Sequence, residues 1–377
     1  MKDRRNFLKT AGLMGLMAGV SSCAGTNGIA RTEKYAVSGG PFIKPNFSSD
    51  RVVKETVGLR PFRTLGPRLE AEKLDQKTIV HNYGHGGSGW SLSWGTGNIA
   101  AEMAVATGEK SFAVLGCGVV GLTTARLLQR RGYAVNIYTK DLPPDVTSSK
   151  ATGTWSPASR LIEKDKVTPA FVEMYKKASQ FSFKMYQNLL GLNDIVQWVP
   201  SYGVSYGRNE NNTRERFAEL PNDFLPESEI LDESPFDAPL VTKGVRLFYN
   251  IPSYLKFHMD EFLAFGGKIH IREFKNLEAI DALAEKCVVN CTGLGSRELF
   301  NDQELTPIRG QLSFLVPQPE INYSLNTEGG YCIPRKDGLV VGASDNARIG
   351  SWDTQPDPDQ TERAVAALRE VMKGMRV

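Results

Sequence analysis

A chain of 377 residues, 41% apolar and 23% charged, is long enough for two interleaved domains with a sizeable core and too apolar for long disorder or a fibrous repeat. Its formal charge of +3 sits at the front, where residues 1–22 carry Lys2, Arg4, Arg5 and Lys9 against Asp3, leaving 41 basic and 41 acidic groups in the remainder. A balanced body has no electrostatic footprint for nucleic acid, and five irregularly spaced cysteines make neither a disulfide framework nor a metal site.

The chain opens with an address. A basic run at 3–9, with Arg4-Arg5 followed by Phe7-Leu8-Lys9, precedes an apolar stretch at 11–20 that is too short and too rich in glycine to span a membrane. This pattern resembles a twin-arginine export signal, which a receptor reads and which does not itself anchor. Val20-Ser21-Ser22-Cys23 is similar to a bacterial lipobox. Residues 1–23 are therefore expected to direct export to the periplasm or cell surface, with Cys23 as the candidate lipid anchor. Residues 24–49, rich in Gly, Ser, Thr, Asn and Pro, read as a tether.

The body begins near residue 50. A strand is expected at Val52-Val53, followed by Gly58-Leu59-Arg60-Pro61, a glycine-rich turn at His81-Asn82-Tyr83-Gly84-His85-Gly86-Gly87, and a helix from Ser88 to about Thr107. The strongest motif comes next. Phe112-Ala113-Val114-Leu115 has strand length, Gly116-Cys117-Gly118-Val119-Val120-Gly121 follows without a gap, and Leu122, Ala125, Leu127 and Leu128 recur at helical spacing. With Val135-Asn136-Ile137-Tyr138 as a second strand, the glycines stand at the strand-to-helix turn of a βαβ unit, the context that marks a dinucleotide site. Gly116 permits the tight turn, Gly118 lets backbone approach a pyrophosphate, Gly121 lets helix and strand pack, and the helix start at Val119 and Val120 presents N–H donors. An acid for the ribose is expected about twenty residues on. The strand ends instead in Thr139-Lys140-Asp141, so either Asp141 serves the ribose or Lys140 meets the adenosine. Further strands are expected at 195–199 and 245–249, and a helix along Ala364, Ala367, Leu368, Val371 and Met372.

Several segments carry a resemblance. Residues 138–149 with Gly153-Thr154-Trp155-Ser156-Pro157 are similar to the FAD-embracing segment of the D-amino-acid oxidase family. Residues 288–295 resemble its later cofactor-binding strand and turn, and 308–311 and 330–335 match in family order. The family's closing G-x-R-P segment and N-Y-G-H-G-G turn are missing from 340–377 and stand at 58–61 and 82–87, ahead of the dinucleotide motif. The sequence thus resembles a circular permutant in which 106–110 join the old ends, as closely placed domain termini allow.

The resemblance implies an α/β fold. A Rossmann-like FAD domain of the glutathione-reductase type (50–160, 265–305 and 335–377) would interleave with a mixed-sheet substrate domain (161–264 and 306–334). It implies FAD contacts at Gly86, Gly87, Gly89, Ser91, Gly116, Gly118, Val119, Val120, Gly121, Lys140, Asp141, Thr147, Ser148, Ser149, Gly153, Thr154 and Gly293, with no metal. It also implies that Arg60 clamps a substrate carboxylate, that Tyr331 adds a hydroxyl to it, and that the Gly87 carbonyl accepts from the amine. The expected reaction is oxidative deamination of a D-amino acid, with hydride passing from Cα to flavin N5 and dioxygen as acceptor, giving a 2-oxo acid, ammonia and hydrogen peroxide. A dehydrogenase feeding a quinone, an oxidase of glycine or N-methyl amino acids, and an inactive flavin-binding lipoprotein are the alternatives. Thr327 stands where mammalian members have a second lid tyrosine. An acidic substrate would need a further cation, for which Arg335 and Arg208 are candidates.

Overall fold

A computed structural model of the chain describes residues 42–192, 194–207, 216–344 and 347–376. The expected export signal, Cys23, most of the tether and Arg208 lie outside these residues.

The chain enters through β1 (Val52–Arg63) and the hairpin β2 (Arg68–Leu74) and β3 (Lys77–Tyr83), then forms helix α1 (Gly89–Val105). The predicted βαβ unit follows as β4 (Ser111–Leu115), α2 (Val119–Arg130) and β5 (Ala134–Thr139). Helix α3 (Pro169–Gln187) leads to β6 (Val196–Ser205), β7 (Glu229–Ile230) and β8 (Leu240–Tyr249). Then come α4 (Ile251–Ala264), β9 (Lys268–Ile271) and β10 (Cys287–Asn290). The chain closes with β11 (Leu305–Leu315), β12 (Ser324–Thr327), β13 (Tyr331–Arg335), β14 (Gly338–Gly342), β15 (Arg348–Ile349) and α5 (Pro358–Lys373).

These strands form two sheets. The smaller runs β2-β3-β10-β4-β5-β9, parallel throughout except for β2 at one edge. Parallel strands covered on both faces read as continuous apolar runs, which is why β4 and β10 lack alternation. One face buries Val80, Phe112, Val114 and Val289 against α1, α2 and α4, and the other packs Ile79, Ala113 and Val288 on Ile280, Leu283 and Leu299. Helix α1 is buried nearly all round and lies against both α2 and α3. Gly95 and Gly97 make this possible, because a Cβ at Gly95 would overlap the backbone of Ala178 in α3 and one at Gly97 would press on Thr124 in α2.

The larger sheet runs β1-β11-β14-β13-β12-β6-β8-β7, with β15 beside β11. Helix α5, capped by the Asp357 carboxylate on Gln360 N, buries Ala364, Val365, Leu368, Val371 and Met372 on one face, against Tyr202, Leu325, Cys332, Leu339 and Val341. The opposite face carries Val199, Phe248, Leu312, Phe314, Ile333 and Val340, with Tyr331 packed on them.

The observed division differs from the expected one in three places. Residues 52–63 do not join the dinucleotide unit but form the edge of the larger sheet, paired to β11 from Val52↔Leu315 to Arg63↔Leu305. Residues 335–377 also belong to the larger sheet, because β14 bonds to β11 and β13 and the apolar stripe of α5 is covered there. Helix α4, expected in the substrate domain, packs instead on α2 and β9. In each case backbone pairing or a covered stripe decides the membership, and neither is written in local sequence.

Candidate active site

The C-terminal ends of β3, β4, β5, β9 and β10 converge on one cavity of about 460 Å³. At its centre is the turn after β4. Gly116 holds φ +102°, donates its N–H to Tyr138 O at 2.8 Å, and has the Cys291 carbonyl oxygen 2.7 Å from where a Cβ would stand. A Cβ on Gly121 would overlap the Gly116 carbonyl, so this glycine serves helix–strand packing and does not line the cavity. Gly118 is the N-cap of α2, and the Ser148 hydroxyl accepts from Val119 N at 3.0 Å. Ser148 is held in turn by Trp90, whose indole N–H donates to its carbonyl at 3.0 Å. Backbone bare of side chains at a helix N-terminus is the donor set a pyrophosphate requires.

Around this turn the structure gathers Arg60, Gly86, Gly87, Gly89, Gly116, Gly118, Val119, Val120, Lys140, Asp141, Thr147, Ser148 and Gly293 from the expected set. Besides Gly121 and Tyr331, four of the expected residues stand elsewhere. Ser91 accepts from Ser156 N at 2.7 Å, facing the neighbouring segment. Gly153, at φ +81°, and Thr154 pair with β8, where Tyr249 N donates to Gly153 O and Thr154 bridges Phe248. Ser149 is turned into protein, and its hydroxyl finds no partner among the described residues. Pairing with β8 consumes this stretch, so Lys150, Ala151 and Thr152 line the cavity instead.

Arg60 enters from β1, opposite Ile308 of β11. Its guanidinium lies over Gly310, where any Cβ would overlap it, and its Nη1 is shielded from solvent with no hydrogen-bond partner among the described residues. Burial lowers its pKa from the usual arginine value, with the Tyr331 phenol opposing the shift. A guanidinium desolvated without a carboxylate is costly unless a ligand anion completes it. Tyr331 does not line the nucleotide cavity; it lies across Gly342, whose missing side chain makes its place. The adjacent Arg309 shows the contrast, being wholly buried yet bonded to Gln311, Gln360 and the carbonyls of Asp353 and Gln355. Arg335 is likewise committed, to Asp337 and the Ala151 carbonyl, and so is no side-chain cation for a substrate.

The turn before α1 is tied down on all sides. Gly86 N donates to Pro61 O at 2.8 Å, Gly87 N to Ser159 O at 3.0 Å, and the Ser88 hydroxyl to the same oxygen at 2.9 Å. A Cβ at Gly87 would come within 2.7 Å of the Ser159 hydroxyl. His85 faces Thr96 at 3.0 Å, and burial drops its pKa to about 4, so it is neutral and structural. Burial raises Cys117 and Cys291 to about 12, leaving both as unreactive thiols. Among the described residues there is no His/Cys/Asp/Glu group able to hold a metal ion, and no helix long and apolar enough to cross a membrane.

Sequence reasoning missed Gly310 and Gly342, which clear space for Arg60 and Tyr331 across strands, and also Asn82, Arg272, Glu273 and Phe274 at the cavity rim. Only the segment after β9 carried a signal, a charged Arg272-Glu273 pair following a short strand in which Ile269 and Ile271 alternate with polar residues.

A parallel sheet whose strand ends and first glycine turn surround one cleft, joined to a second sheet that delivers a half-buried arginine, is the architecture of a dinucleotide-binding protein. The family described as FAD dependent oxidoreductase (DAO) matches residues 111–377, and the chain belongs to it. Its cofactor is FAD, which the cradle of Gly116, Gly118 and the α2 N-terminus fits. Among curated proteins, the D-amino acid oxidase of Dugesia ryukyuensis is 28% identical over 271 residues, covering 70% of this chain and 78% of its own. The D-amino-acid oxidase of Rubrobacter xylanophilus is 28% identical with the same coverage. That of Streptomyces coelicolor is 30% identical over 289 residues, covering 70% and 79%.

Proposed function

We propose that this FAD-dependent oxidoreductase is a D-amino-acid oxidase that deaminates its substrate to a 2-oxo acid, ammonia and hydrogen peroxide. The observation that carries the reading is Arg60, half-buried beside the cofactor cavity with its Nη1 shielded from solvent and without a partner among the described residues. Its planar fork takes both oxygens of a carboxylate, and the family resemblance has Tyr331 add its hydroxyl. The Gly87 carbonyl accepts from the amine, which must be neutral for its lone pair to assist at Cα. Held at both groups, the substrate presents Cα–H in one orientation, and such placement supplies much of a barrier reduction. No side chain need act as base. FAD, when bound, takes up the hydride and returns two electrons to dioxygen.

The test uses the chain from Ala24 onward, mixed without oxygen with D-alanine and L-alanine in turn. Bleaching of the flavin by the D-isomer alone, and its return on admitting air, is the expected result. A flavin that neither D-alanine, D-aspartate nor glycine reduces would sink the reading.

The order of the segments is read as a circular permutation. Residues 42–110 lie before the family match yet supply β1, β2, β3 and α1, elements without which both sheets are incomplete. The link from α1 to β4 is a short turn with Gly108 at φ +81°, and Ser49 hydrogen-bonds Glu362 of α5, so the present ends of the folded body are neighbours. A rearranged gene opening at Lys110, with 377 joined through a short glycine linker to 50, is expected to give the same yellow, active protein. Colourless, unfolded product would count against it.

A further inference from the structure

We infer that Glu273, at the end of β9, is the carboxylate that holds the ribose of the cofactor's adenosine half, and that Lys140 is its positioning residue. In a βαβ dinucleotide unit that ribose reaches the C-terminal end of the second strand, where a carboxylate accepts from its two hydroxyls. Here the second strand is β5, which ends at Thr139, and the next residue is Lys140, whose ammonium has three donors and no acceptor. Lysine alone therefore leaves the ribose hydroxyls without acceptors.

The neighbouring strand supplies what is missing. β9 runs parallel to β5 with Thr139 opposite Ile271, and Arg272 N donates to Thr139 O at 2.8 Å, so the residues after the two strands leave the sheet side by side. Glu273 Oε1 is then 3.0 Å from Lys140 Nζ, and both residues line the cavity. The hydrogen bond from Lys140 lowers the Glu273 pKa, which keeps the acceptor ionised. Lys140 and Glu273 are 65% and 47% exposed, and a surface pair of that kind does little for folding stability. Its place at the cavity rim is what gives it work. Two other groups stand nearby, and the Asp141 carboxylate is the competing acceptor that the test must separate. Asp141 gives its carbonyl to the Thr139 hydroxyl at 2.7 Å, while its carboxylate adds to the electrostatic hold on Lys140. Arg272 stacks on Phe274 and donates to Ala279 O at 3.2 Å.

The inference rests on the FAD assignment and not on the choice of amino acid, so it is tested by binding. Apoprotein would be titrated with FAD and followed by flavin fluorescence, with circular dichroism reporting the fold. Glu273→Gln is expected to weaken FAD binding about tenfold to a hundredfold, the range for losing charge-assisted hydrogen bonds. Lys140→Met, which breaks the ion pair but keeps the acceptor, is expected to cost only a few fold, and Asp141→Asn, which loosens the hold on Lys140, no more than that. Wild-type affinity in Glu273→Gln would overturn the inference. So would equal losses in Glu273→Gln and Lys140→Met, since a merely structural ion pair loses the same from either side. A loss confined to Asp141→Asn would return the ribose to β5.

Discussion

Arg60→Met is expected to lower kcat/KM for a D-amino acid by roughly a hundredfold to a thousandfold, the scale of removing one partner from a buried, hydrogen-bonded charge pair, while the protein remains yellow. Methionine fills the arginine stem's space and leaves no charge, so the substrate carboxylate would enter the site with no counter-ion. Arg60 sits on the larger sheet, and the glycine turn that embraces the cofactor belongs to the smaller one. Flavin content should therefore be nearly unchanged, and that separation is the control. Arg60→Lys should recover only a part, because an ammonium cannot present the paired donors of a guanidinium. Gly310→Ala tests the same point from across the sheet, since its Cβ would overlap the Arg60 guanidinium and push it off the position it now holds. Both variants should raise KM more than they lower kcat. Steady-state oxygen uptake with several D-amino acids would measure this, and an Arg60→Met enzyme with unaltered kcat/KM would remove Arg60 from substrate binding.

What sequence could show of this site follows from the range of the interactions. The turn at 116–121 was legible because its three glycines answer to contacts within the same strand–turn–helix, and those contacts fix residue type at fixed spacing. Arg60 stands out in the sequence only by resemblance, because what makes it unusual is a bare Gly310 across a strand pair and an Nη1 with no partner among the described residues, facts of register and burial. Ser91, Gly153 and Thr154 show the opposite failure. They lie in segments that do approach the cofactor cavity, but hydrogen bonding to Ser156 and pairing with β8 turn them into supports. Local sequence could not distinguish a glycine that bares backbone to a ligand from one that lets two strands meet. Sheet membership is hidden from local sequence for a related reason. β1 and β14 are ordinary alternating or apolar runs, and only long-range pairing to β11 assigns them to the larger sheet. The ion-pair partner of Lys140, Glu273, follows the adjoining strand more than a hundred residues away, beyond the reach of local sequence.

The glycines of the cofactor turn should rank by what a Cβ would meet, and this gives the second large effect. Gly121→Val is expected to yield protein without bound flavin and with a sharply lowered Tm, because even the first added carbon overlaps the Gly116 carbonyl and must drive α2 off β4. The damage cannot be absorbed by a rotamer change, as the obstacle is backbone held by the Gly116 N–H bond to Tyr138 O. Forcing apart packed backbone of this kind lies in the overpacking range of about 1–3 kcal/mol or above. Gly116→Ala adds a left-handed φ to a 2.7 Å approach on the Cys291 carbonyl and should also lose the cofactor. Gly118→Ala should behave differently. Its Cβ would come 2.9 Å from the Ser148 hydroxyl, the end of a side chain that can rotate, so the fold should survive. What that variant would lose is the close approach of backbone to the pyrophosphate, seen as weaker FAD binding at an unchanged Tm. Gly108→Ala, with φ +81° and nothing within 4 Å, isolates the cost of the backbone angle alone, on the order of 1 kcal/mol. Flavin absorbance per protein and Tm, measured across the four variants, would separate packing from ligand approach. If Gly121→Val held its flavin as tightly as Gly108→Ala, the helix and strand would have to be able to part without disturbing the cradle, and the cofactor site would have to be built somewhere other than this turn.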